Sequence, residues 1–193
     1  MFTGIVEEVG EIVHAQGGDL TVKARAVLEG MRLGDSIAVN GACLTVVQFD
    51  AGSFSVNVVA ETLRRTNLEQ AHPGDRVNLE RAMPADGRFG GHMVQGHIEG
   101  AAEVVALVPD GPDDLIVRYR APRDLARYIV RKGFIAVDGA SLTVVDCNDE
   151  EFSVALVPYT RQHTNLAGHN PGDRVNIETD VLARYVERLL RPE

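Results

Sequence analysis

Two copies of one eleven-residue segment differ only at residues that could take part in chemistry. The segment at 37–47 returns at 135–145 with nine identical positions. The differences are Asn40 against Asp138 and Cys43 against Ser141. A cysteine thiolate, or a serine hydroxyl next to a base, can act as a nucleophile. This pattern indicates two related sites whose chemical roles have diverged.

Further differences between the copies also fall on reactive side chains. His97 stands where the first copy has Ile5, and Lys132 stands where it has Gly34. Histidine, with a pKa near ~6.5, is the usual proton carrier at neutral pH. We therefore expect the second half to gather His97, Lys132, Asp138 and Ser141, and the first half to supply Cys43 and Phe2.

Polar residues that the two copies share are candidates for holding a common flat heterocycle. Hydroxyl groups and the backbone beside glycine suit an uncharged ring with carbonyl groups and ring nitrogens. The alternative is that threonine is simply a good strand former. The shared pairs are Thr45 and Thr143, Thr62 and Thr160, and Gly4 and Gly96.

Two other candidates are assigned no role. A lone cysteine is more often a small buried apolar group than a nucleophile, and Cys147 fits that description. His92 and His97 could suggest a metal site, but their spacing is not a usual ligand spacing. We therefore predict no metal, and we interpret the Gly90–His97 segment as backbone and histidine that come close to a ligand.

The repeat extends over most of the chain and predicts two tandem domains. Pro73–Glu80 returns as Pro171–Glu178, at the same offset of 98 residues as the first segment. Asn-Gly and Asp-Gly between β-forming residues predict hairpins. Short alternating strands closed by turns are typical of a small antiparallel barrel. We predict barrels at 1–89 and 90–179, with helical turns at 60–65 and 122–130.

The last segment, 180–193, is predicted to be a helix. Asp180 is a good N-cap residue, and the apolar residues that follow share one face. This helix either packs on its own domain or meets the same helix of other subunits. The apolar residues are Val181, Leu182, Tyr185, Val186, Leu189 and Leu190.

The composition excludes several classes of protein. The net charge is -9 and no basic run is present, so nucleic acid is an unfavoured partner. No apolar stretch approaches the ~18 residues that a transmembrane helix needs. The first residues carry no secretion signal, so we expect a cytoplasmic protein. Two cysteines do not make a disulfide framework.

Six ordered motifs make the chain resemble riboflavin synthase of the trimeric α-chain type. The resemblance covers essentially the whole chain, including the closing helix. One departure is Ala42, where some members have a second cysteine. The motifs are Met1–Val6, Asn40–Val46, Glu61–Arg64, Gly90–His97, Lys132–Ile135 and Asp138–Val144.

The resemblance implies an all-β protein of two six-stranded Greek-key barrels, followed by a helix that joins three subunits. It implies dismutation of two molecules of 6,7-dimethyl-8-ribityllumazine by four-carbon transfer. The products are riboflavin and 5-amino-6-(D-ribitylamino)uracil, and no cofactor takes part. Each active site would form between the N-terminal barrel of one subunit and the C-terminal barrel of its neighbour. Lumazine synthase is a candidate partner.

The resemblance also implies site residues. Those associated with catalysis are Phe2, Cys43, His97 and Ser141. The first substrate pocket would use Gly4, Ile5, Val6, Cys43, Leu44, Thr45, Glu61 and Thr62. The second would use Gly96, His97, Ile98, Lys132, Asp138, Ser141, Leu142, Thr143, Val157, Pro158, Tyr159 and Thr160.

Two other functions stay open at this point. Lumazine- and flavin-binding antenna proteins share the fold and catalyse nothing. The presence of all four reactive positions favours the enzyme, and flavin absorbance after mixing the protein with the lumazine would discriminate the two. A purely structural trimer is the weaker alternative, and it would bind no lumazine.

Overall fold

The computed structural model describes residues 1–190, which form two closed barrels of six antiparallel strands each. Neighbouring strands follow the order β1-β2-β5-β4-β3-β6 in the first barrel and the equivalent order β7-β8-β11-β10-β9-β12 in the second. The first barrel contains β1 Glu8–Gln16, β2 Asp19–Lys23, β3 Ser36–Val39, β4 Ala42–Phe49, β5 Ser53–Asn57 and β6 Arg76–Arg81. The second contains β7 Gly100–Asp110, β8 Asp114–Arg120, β9 Phe134–Val137, β10 Ala140–Cys147, β11 Glu151–Leu156 and β12 Arg174–Thr179. The predicted pair of six-stranded barrels is confirmed.

Alternation along the strands explains why each barrel closes around an apolar core. In β4, Leu44 and Val46 are buried while Thr45 is exposed, and β10 repeats this pattern. Because successive side chains in a strand point to opposite faces, alternate residues of β4 and β10 line the outer wall. The outer wall is therefore where Cys43 and Ser141 can meet a ligand.

The described part of the chain contains four α-helices beside the barrels. Both of the predicted early helical segments exist, but the second is shorter than expected: it is regular only at Arg123–Ala126 and continues as turns. In the last helix, the backbone N–H of Leu182 donates to Asp180 Oδ1 at 3.0 Å, as an N-cap should. The predicted end of this segment, 191–193, lies outside the described residues. The helices are α1 Ala60–Arg65, α2 Arg123–Ala126, α3 Pro158–His163 and α4 Val181–Leu190. Within residues 1–190, no helix has the length and apolar character needed to span a bilayer.

The segments that precede the two barrels form an antiparallel ribbon between them. Phe2 N–H donates to Val94 O at 2.7 Å, and Val94 N–H donates to Phe2 O at 3.2 Å. This ribbon lies near an approximate two-fold axis that relates the two repeats. Each arm of the ribbon then runs along the barrel of the other repeat, so the barrels are joined by an exchange of their leading segments.

A duplicated network of buried amides ties the barrels together on this axis. Asn78 Nδ2 donates to Asp138 O at 2.9 Å, and Asn176 Nδ2 donates to Asn40 O at 2.8 Å. Asn78 is 2% exposed and Asn176 is 0% exposed. A buried amide that lost these partners would carry the cost of unmade hydrogen bonds. This network therefore fixes how the two barrels pack against each other.

Candidate functional site

The first candidate site is a depression of about 430 Å³, which we call the Cys43 pocket. Cys43 stands on its wall, and His97 and Arg184 come to it from the second repeat. The size lies within the usual range of small-molecule sites, ~300–1,000 Å³. The other residues lining it are Ala42, Glu61, Thr62, Arg65, Thr66, Gly96, Ile98, Glu99, Asp124 and Leu125.

The exchange of leading segments decides which residues meet at each site. Cys43 N–H donates to Gly96 O at 2.9 Å, and Ser141 N–H donates to Gly4 O at 2.8 Å. A side chain at Gly96 would place its Cβ 2.5 Å from Cys43 Cβ, and the same distance separates a Cβ at Gly4 from Ser141 Cβ. Only glycine permits this approach. Each site thus combines a strand of one barrel with a glycine from the other repeat.

This geometry corrects the sequence-based assignment of residues to pockets. Gly4, Ile5 and Val6 were expected with Cys43, and Gly96, His97 and Ile98 with Ser141. The structure places Gly4 and Val6 against the second barrel and Gly96, His97 and Ile98 beside Cys43, whereas Ile5 lines a cavity of the first barrel. The error arose because sequence repeats assign each segment to the barrel it precedes, whereas the chain passes it to the other barrel.

Two buried glutamates hold the exchanged segments in place. Glu178 accepts hydrogen bonds from the backbone N–H groups of Gln95, Gly96 and His97 at 2.7, 2.8 and 2.8 Å. Glu80 accepts from Thr3 N–H at 2.7 Å and Gly4 N–H at 3.0 Å. Burial raises the pKa of Glu178 to about 7, although the three N–H bonds act to lower it.

The second candidate site, which we call the Ser141 cluster, contains a histidine that sequence reasoning left without a role. His92 Nδ1 lies 2.7 Å from Ser141 Oγ, and its ring stacks on Phe134 with centroids 5.1 Å apart. Burial lowers the pKa of His92, while the charge of Asp180 acts to raise it. A neutral imidazole in contact with a hydroxyl can polarise that hydroxyl or take its proton. The signal that could have identified His92 was the Gly90-Gly91 pair before it, since Gly91 lies against Ser141.

His97 therefore does not serve Ser141. It lies in the Cys43 pocket, so the expected grouping of His97 with Ser141 is wrong. The two sites hold one histidine each: His97 with the thiol and His92 with the hydroxyl. This arrangement also separates His92 from His97, the pair considered above as metal ligands.

Phe2 and Asp138 are buried rather than placed to contact a ligand. Both are 0% exposed. Phe2 packs with Val94 and Cys43 in a small apolar cluster, so its role here is to position the exchanged segments. Asp138 accepts hydrogen bonds from Asn176 N–H at 2.7 Å and from Asn67 Nδ2 at 3.1 Å. It belongs to the network between the barrels, contrary to its expected contact with substrate.

Lys132 occupies a backbone conformation that favours glycine. Its φ is 66°, and its counterpart Gly34 has φ 87°. A non-glycine residue in this region costs of order 1 kcal/mol. Glycine at this position would relieve the backbone strain, so the presence of lysine indicates that its side chain is needed. Lys132 is exposed and lies next to strand β9.

The remaining expected residues divide into outer-wall and core groups. Thr45 and Thr143 are exposed on the barrel walls, whereas Leu44 and Leu142 point into the cores and offer only backbone groups. The helices beside the two sites differ in character at one position. On α1, hydrogen bonds from Arg64 and Arg65 lower the pKa of Glu61. The matching residue on α3 is Tyr159, which is 70% exposed. Val157, Pro158 and Thr160 surround it at the start of α3.

The family model described as the lumazine binding domain matches this chain twice, at residues 3–82 and 95–180. The chain is 49% identical to riboflavin synthase of Mycobacterium bovis over 99% of its own length and 98% of that protein. It is 47% identical to riboflavin synthase of Actinobacillus pleuropneumoniae, covering 98% of this chain and 90% of the relative.

Solved structures of a second protein share the fold. The structure of LumP complexed with riboflavin superposes with a TM-score of 0.85 at 27% identity, covering 93% of this chain and 99% of that one. LumP complexed with 6,7-dimethyl-8-(1'-D-ribityl) lumazine gives a TM-score of 0.83 at 26% identity, with the same coverage. The doubled family match and the full-length similarity agree with the two unlike sites, and the chain belongs to the riboflavin synthase family of transferases.

Proposed function

We propose that this chain dismutates 6,7-dimethyl-8-ribityllumazine between its Cys43 pocket and the Ser141 cluster of a neighbouring subunit. One lumazine gives up a four-carbon unit and the other accepts it. The products are riboflavin and 5-amino-6-(D-ribitylamino)uracil. The observation that carries this assignment is the pair of structurally equivalent sites with unlike reactive groups, because two identical substrates must be treated unequally.

The positions of the two sites within one chain support a site shared between subunits. Gly4 and Gly96 lie on either side of the Phe2–Val94 bridge, in opposite directions along the ribbon. At ~3.3 Å per residue, the two glycines are about 13 Å apart along the ribbon. Rings that form a carbon–carbon bond must approach to ~3–3.5 Å. Two lumazines on one chain would be too far apart, whereas sites of two neighbouring chains can face each other.

The last helix supplies a reason for three such subunits to associate. Five large apolar residues of α4 are more than half exposed, and no residue of α4 is buried. A short helix with an uncovered apolar face needs a partner surface. Head-to-tail contacts between N-terminal and C-terminal barrels close into a ring, and we propose a homotrimer with α4 at its axis. The five residues are Leu182, Tyr185, Val186, Leu189 and Leu190.

The two histidines define the proposed chemistry. His97, in the Cys43 pocket, removes a proton from the C7 methyl group of one lumazine and leaves a ring-stabilised carbanion. In the Ser141 cluster, His92 takes a proton from Ser141 or from a water molecule held by it, so that the oxygen adds to the second ring. The carbanion then attacks this activated ring, and the added oxygen leaves with the proton that His92 returns. Cleavage of two C–N bonds of one lumazine releases 5-amino-6-(D-ribitylamino)uracil and leaves riboflavin. Stacking the rings in register contributes the largest share of the rate.

A second function, lumazine binding without conversion, has one observation in its favour, the fold similarity to LumP. The identity to LumP is 26–27%, against 47–49% to the two synthases above. Cys43, His97, His92 and Ser141 are all present at the two sites. We therefore favour the enzyme. A cytoplasmic location and association with lumazine synthase stay predictions from the sequence.

Complementation between inactive variants tests the shared site. Cys43→Ala disables one half of every site, and Ser141→Ala disables the other half. When the two variants are mixed in equal amounts and allowed to exchange subunits, about one interface in four combines two intact halves. Flavin formation should then exceed that of either parent.

The control is a mixture of Cys43→Ala with His97→Ala. These residues lie in the same pocket, so no mixed interface is intact and no rescue is expected. Rescue by this control mixture, or no rescue by the first mixture after subunit exchange has been verified, would contradict a site between subunits. Lumazine binding without flavin formation by the unmodified protein would instead support the binding function.

A further inference from the structure

A second large cavity lies between the two barrels on the approximate two-fold axis. Its volume is about 850 Å³, and we call it the axial cleft. Both repeats line it equivalently, with Asn67, Ala71 and Arg76 from the first and Asn165, His169 and Arg174 from the second. None of the residues lining it belongs to the Cys43 pocket. The axial cleft is therefore distinct from that candidate site.

Two amide oxygens in the axial cleft have no hydrogen-bond partner. Asn67 Oδ1 and Asn165 Oδ1 are both buried, and neither accepts a hydrogen bond from the described residues. The Asn165 side-chain nitrogen donates to Asn40 Oδ1 and to Arg76 O, both at 3.2 Å. Since both of these neighbours are acceptors, the amide orientation is fixed and the free atom is the oxygen. Asn67 Nδ2 likewise donates to Asp138 Oδ1 and Arg174 O.

Such oxygens require a donor from outside the chain. Asn165 is 8% exposed, and an unpaired polar group at that depth is costly. The two asparagines that carry the orphan oxygens are equivalent in the repeat, and both line this one cavity. A molecule that enters the axial cleft can satisfy both if it carries hydroxyl groups.

Two arginines line the axial cleft together with the residues that carry these oxygens. Arg76 and Arg174 are exposed, and within residues 1–190 neither guanidinium takes part in a salt bridge or a hydrogen bond. Arg161 and His169 also line the axial cleft, but Arg161 donates to Asp113 O, and the ring nitrogens of His169 lie 3.2 and 3.7 Å from carboxylate oxygens of Asp138 and Asp173. The cationic donors available to a ligand are therefore those of Arg76 and Arg174.

The two aspartates of the axial cleft are already engaged. Asp75 Oδ2 accepts from His72 N–H at 2.8 Å, and Asp173 Oδ2 accepts from Asn170 N–H at 2.7 Å. Each aspartate therefore closes its own turn. These bonds leave both carboxylates charged, and the guanidinium groups that line the cavity outnumber them, with Arg76, Arg161 and Arg174 against Asp75 and Asp173.

The sequence repeat retains these residues in both copies. The asparagine and the arginine are the same in both copies, at 67 and 165 and at 76 and 174. Over the same length, the reactive positions of the two candidate sites have changed. The asparagine nitrogens have structural partners, but the arginine side chains have none.

We propose that the axial cleft binds a small hydroxylated anion of the phosphate-ester class. Its phosphoryl oxygens accept hydrogen bonds from Arg76 and Arg174, and its hydroxyl groups donate to Asn67 Oδ1 and Asn165 Oδ1. Guanidinium groups suit phosphate because their paired N–H groups match its oxygens. The neutral lumazine of the proposed reaction lacks the charge that this cavity selects.

Calorimetric titration of the full-length protein tests this site with three probes: glycerol 3-phosphate, inorganic phosphate and glycerol. Riboflavin, the product of the proposed reaction, is present at saturation, so that the substrate sites are filled without turnover, and ionic strength is held constant with chloride. Glycerol 3-phosphate should bind saturably and more tightly than inorganic phosphate, and glycerol should not bind measurably. Equal binding of the two phosphates would overturn the role given to the asparagine oxygens.

Variants make the test specific. Arg76→Ala with Arg174→Ala should weaken binding of glycerol 3-phosphate about ten-fold or more, because charge-assisted hydrogen bonds are lost. The matched control is Arg25→Ala with Arg32→Ala, which removes two exposed arginines far from the axial cleft in the sequence. An unchanged melting temperature without ligand verifies that both proteins fold. Absence of saturable binding, or an equal loss in the control, would overturn the proposal.

Discussion

The Nε2 atom of His169 lies 3.2 Å from Oδ2 of Asp138, whose carboxylate is completely buried between the two barrels. In the first repeat the same two positions are Ala71 and Asn40. The pair at these two positions is therefore neutral in the first repeat and ionisable in the second. Breaking a buried pair by removing one partner leaves an uncompensated charge, which is strongly destabilising.

We expect His169→Ala to lower the free energy of unfolding by about 3 kcal/mol, since it leaves the buried Asp138 charge without its ionic partner. The double variant Asp138→Asn with His169→Ala recreates the pair of the first repeat and should recover most of that loss. Chemical denaturation of the wild type, both single variants and the double variant gives the coupling energy. Additive effects would show that the two side chains do not interact.

The same pair gives stability a dependence on pH. Burial acts to lower the pKa of His169, but its hydrogen bond to Asp138 and the charges of Asp138 and Asp173 raise the pKa above 6.5 overall. A raised pKa means that the folded state binds the proton more tightly than the unfolded chain. The contribution is thus complete below about pH 6.5 and is lost as the pH rises through the pKa of folded His169. In the double variant, the free energy of unfolding should not show this loss as the pH rises.

The internal repeat shows the local structure of each half of the chain, but it does not show how the two halves pack together. The internal repeat predicted both barrels, because strand alternation and hairpin turns are local features. It could not show that Gly4 lies against Ser141 and Gly96 against Cys43. A segment that packs on the other barrel has the same sequence as one that packs on the barrel it precedes. Contacts across the axis depend on how the two barrels pack.

The reactive residues show the same limit. Comparing the copies found Cys43 and Ser141 correctly as equivalent positions on the two barrel walls. The same comparison identified Asp138 as reactive, although its partner His169 makes it part of a buried network. His92 was missed because a histidine's partner cannot be inferred until the fold brings Ser141 next to it.

The contact between His92 and Ser141 predicts a non-additive loss of activity. His92→Gln and Ser141→Ala should each lower kcat by about 10²–10⁴-fold, the range for general acid–base groups. In the Ser141→Ala background, the His92 change should add little, because groups that act as a unit are not additive. Steady-state kinetics with the lumazine measures both effects. His14→Asn, at an exposed position, is the control and should leave kcat unchanged.

The pH profile separates catalysis by His92 from a structural role. Burial lowers the pKa of His92 below 6.5, so the neutral base is present at neutral pH. Activity should fall on the acid side with an inflection below pH 6.5. His92→Gln should remove that inflection, whereas a merely structural role would lower kcat at every pH and leave the inflection in place.

Glu178 predicts a second dependence of stability on pH. Its carboxyl group is 3% exposed, and burial raises its pKa to about 7 from 4.5. The stabilising contribution of the protonated form is complete below pH 4.5 and is lost as the pH rises through about 7. The loss across this range is at most about 3 kcal/mol. Denaturation at several pH values should show a smaller decline for Glu178→Gln than for the wild type, and an identical decline would contradict this assignment.

The exposed face of α4 predicts that a single charge can separate the subunits. Leu189 is 81% exposed in one chain, so Leu189→Asp should not disturb the barrels but should prevent burial of that face between subunits. We expect sedimentation as a monomer, retained lumazine binding and lost flavin formation. Leu33→Asp makes the same change at a barrel position that is 65% exposed, and it should leave both the assembly and the activity intact. A trimeric Leu189→Asp variant would place the subunit contact elsewhere.

An ion pair connects α4 to the Cys43 pocket. Arg184 contacts Glu99 and stacks on Tyr128 with its guanidinium carbon 4.7 Å from the ring centroid. Glu99 also accepts from Thr179 N–H at 2.9 Å and follows His97 by two residues. In the first barrel the equivalent carboxylate, Glu7, is paired instead with Arg81 of the barrel's own strand β6. In the second barrel, the equivalent carboxylate of Glu99 is thus paired with a residue of α4.

Arg184→Met should therefore loosen α4 on its barrel. We expect the trimer to dissociate about ten-fold more readily and kcat/KM to fall in parallel, because a partly buried ion pair and its cation–π contact contribute roughly 1–2 kcal/mol. Arg81→Met removes the equivalent pair of the first barrel, which touches no helix, and should lower stability without changing the dissociation constant. Concentration-dependent sedimentation measures both variants. Equal dissociation constants for the two would mean that Arg184 does not link assembly to the site, although its pair with Glu99 joins α4 to the segment that carries His97.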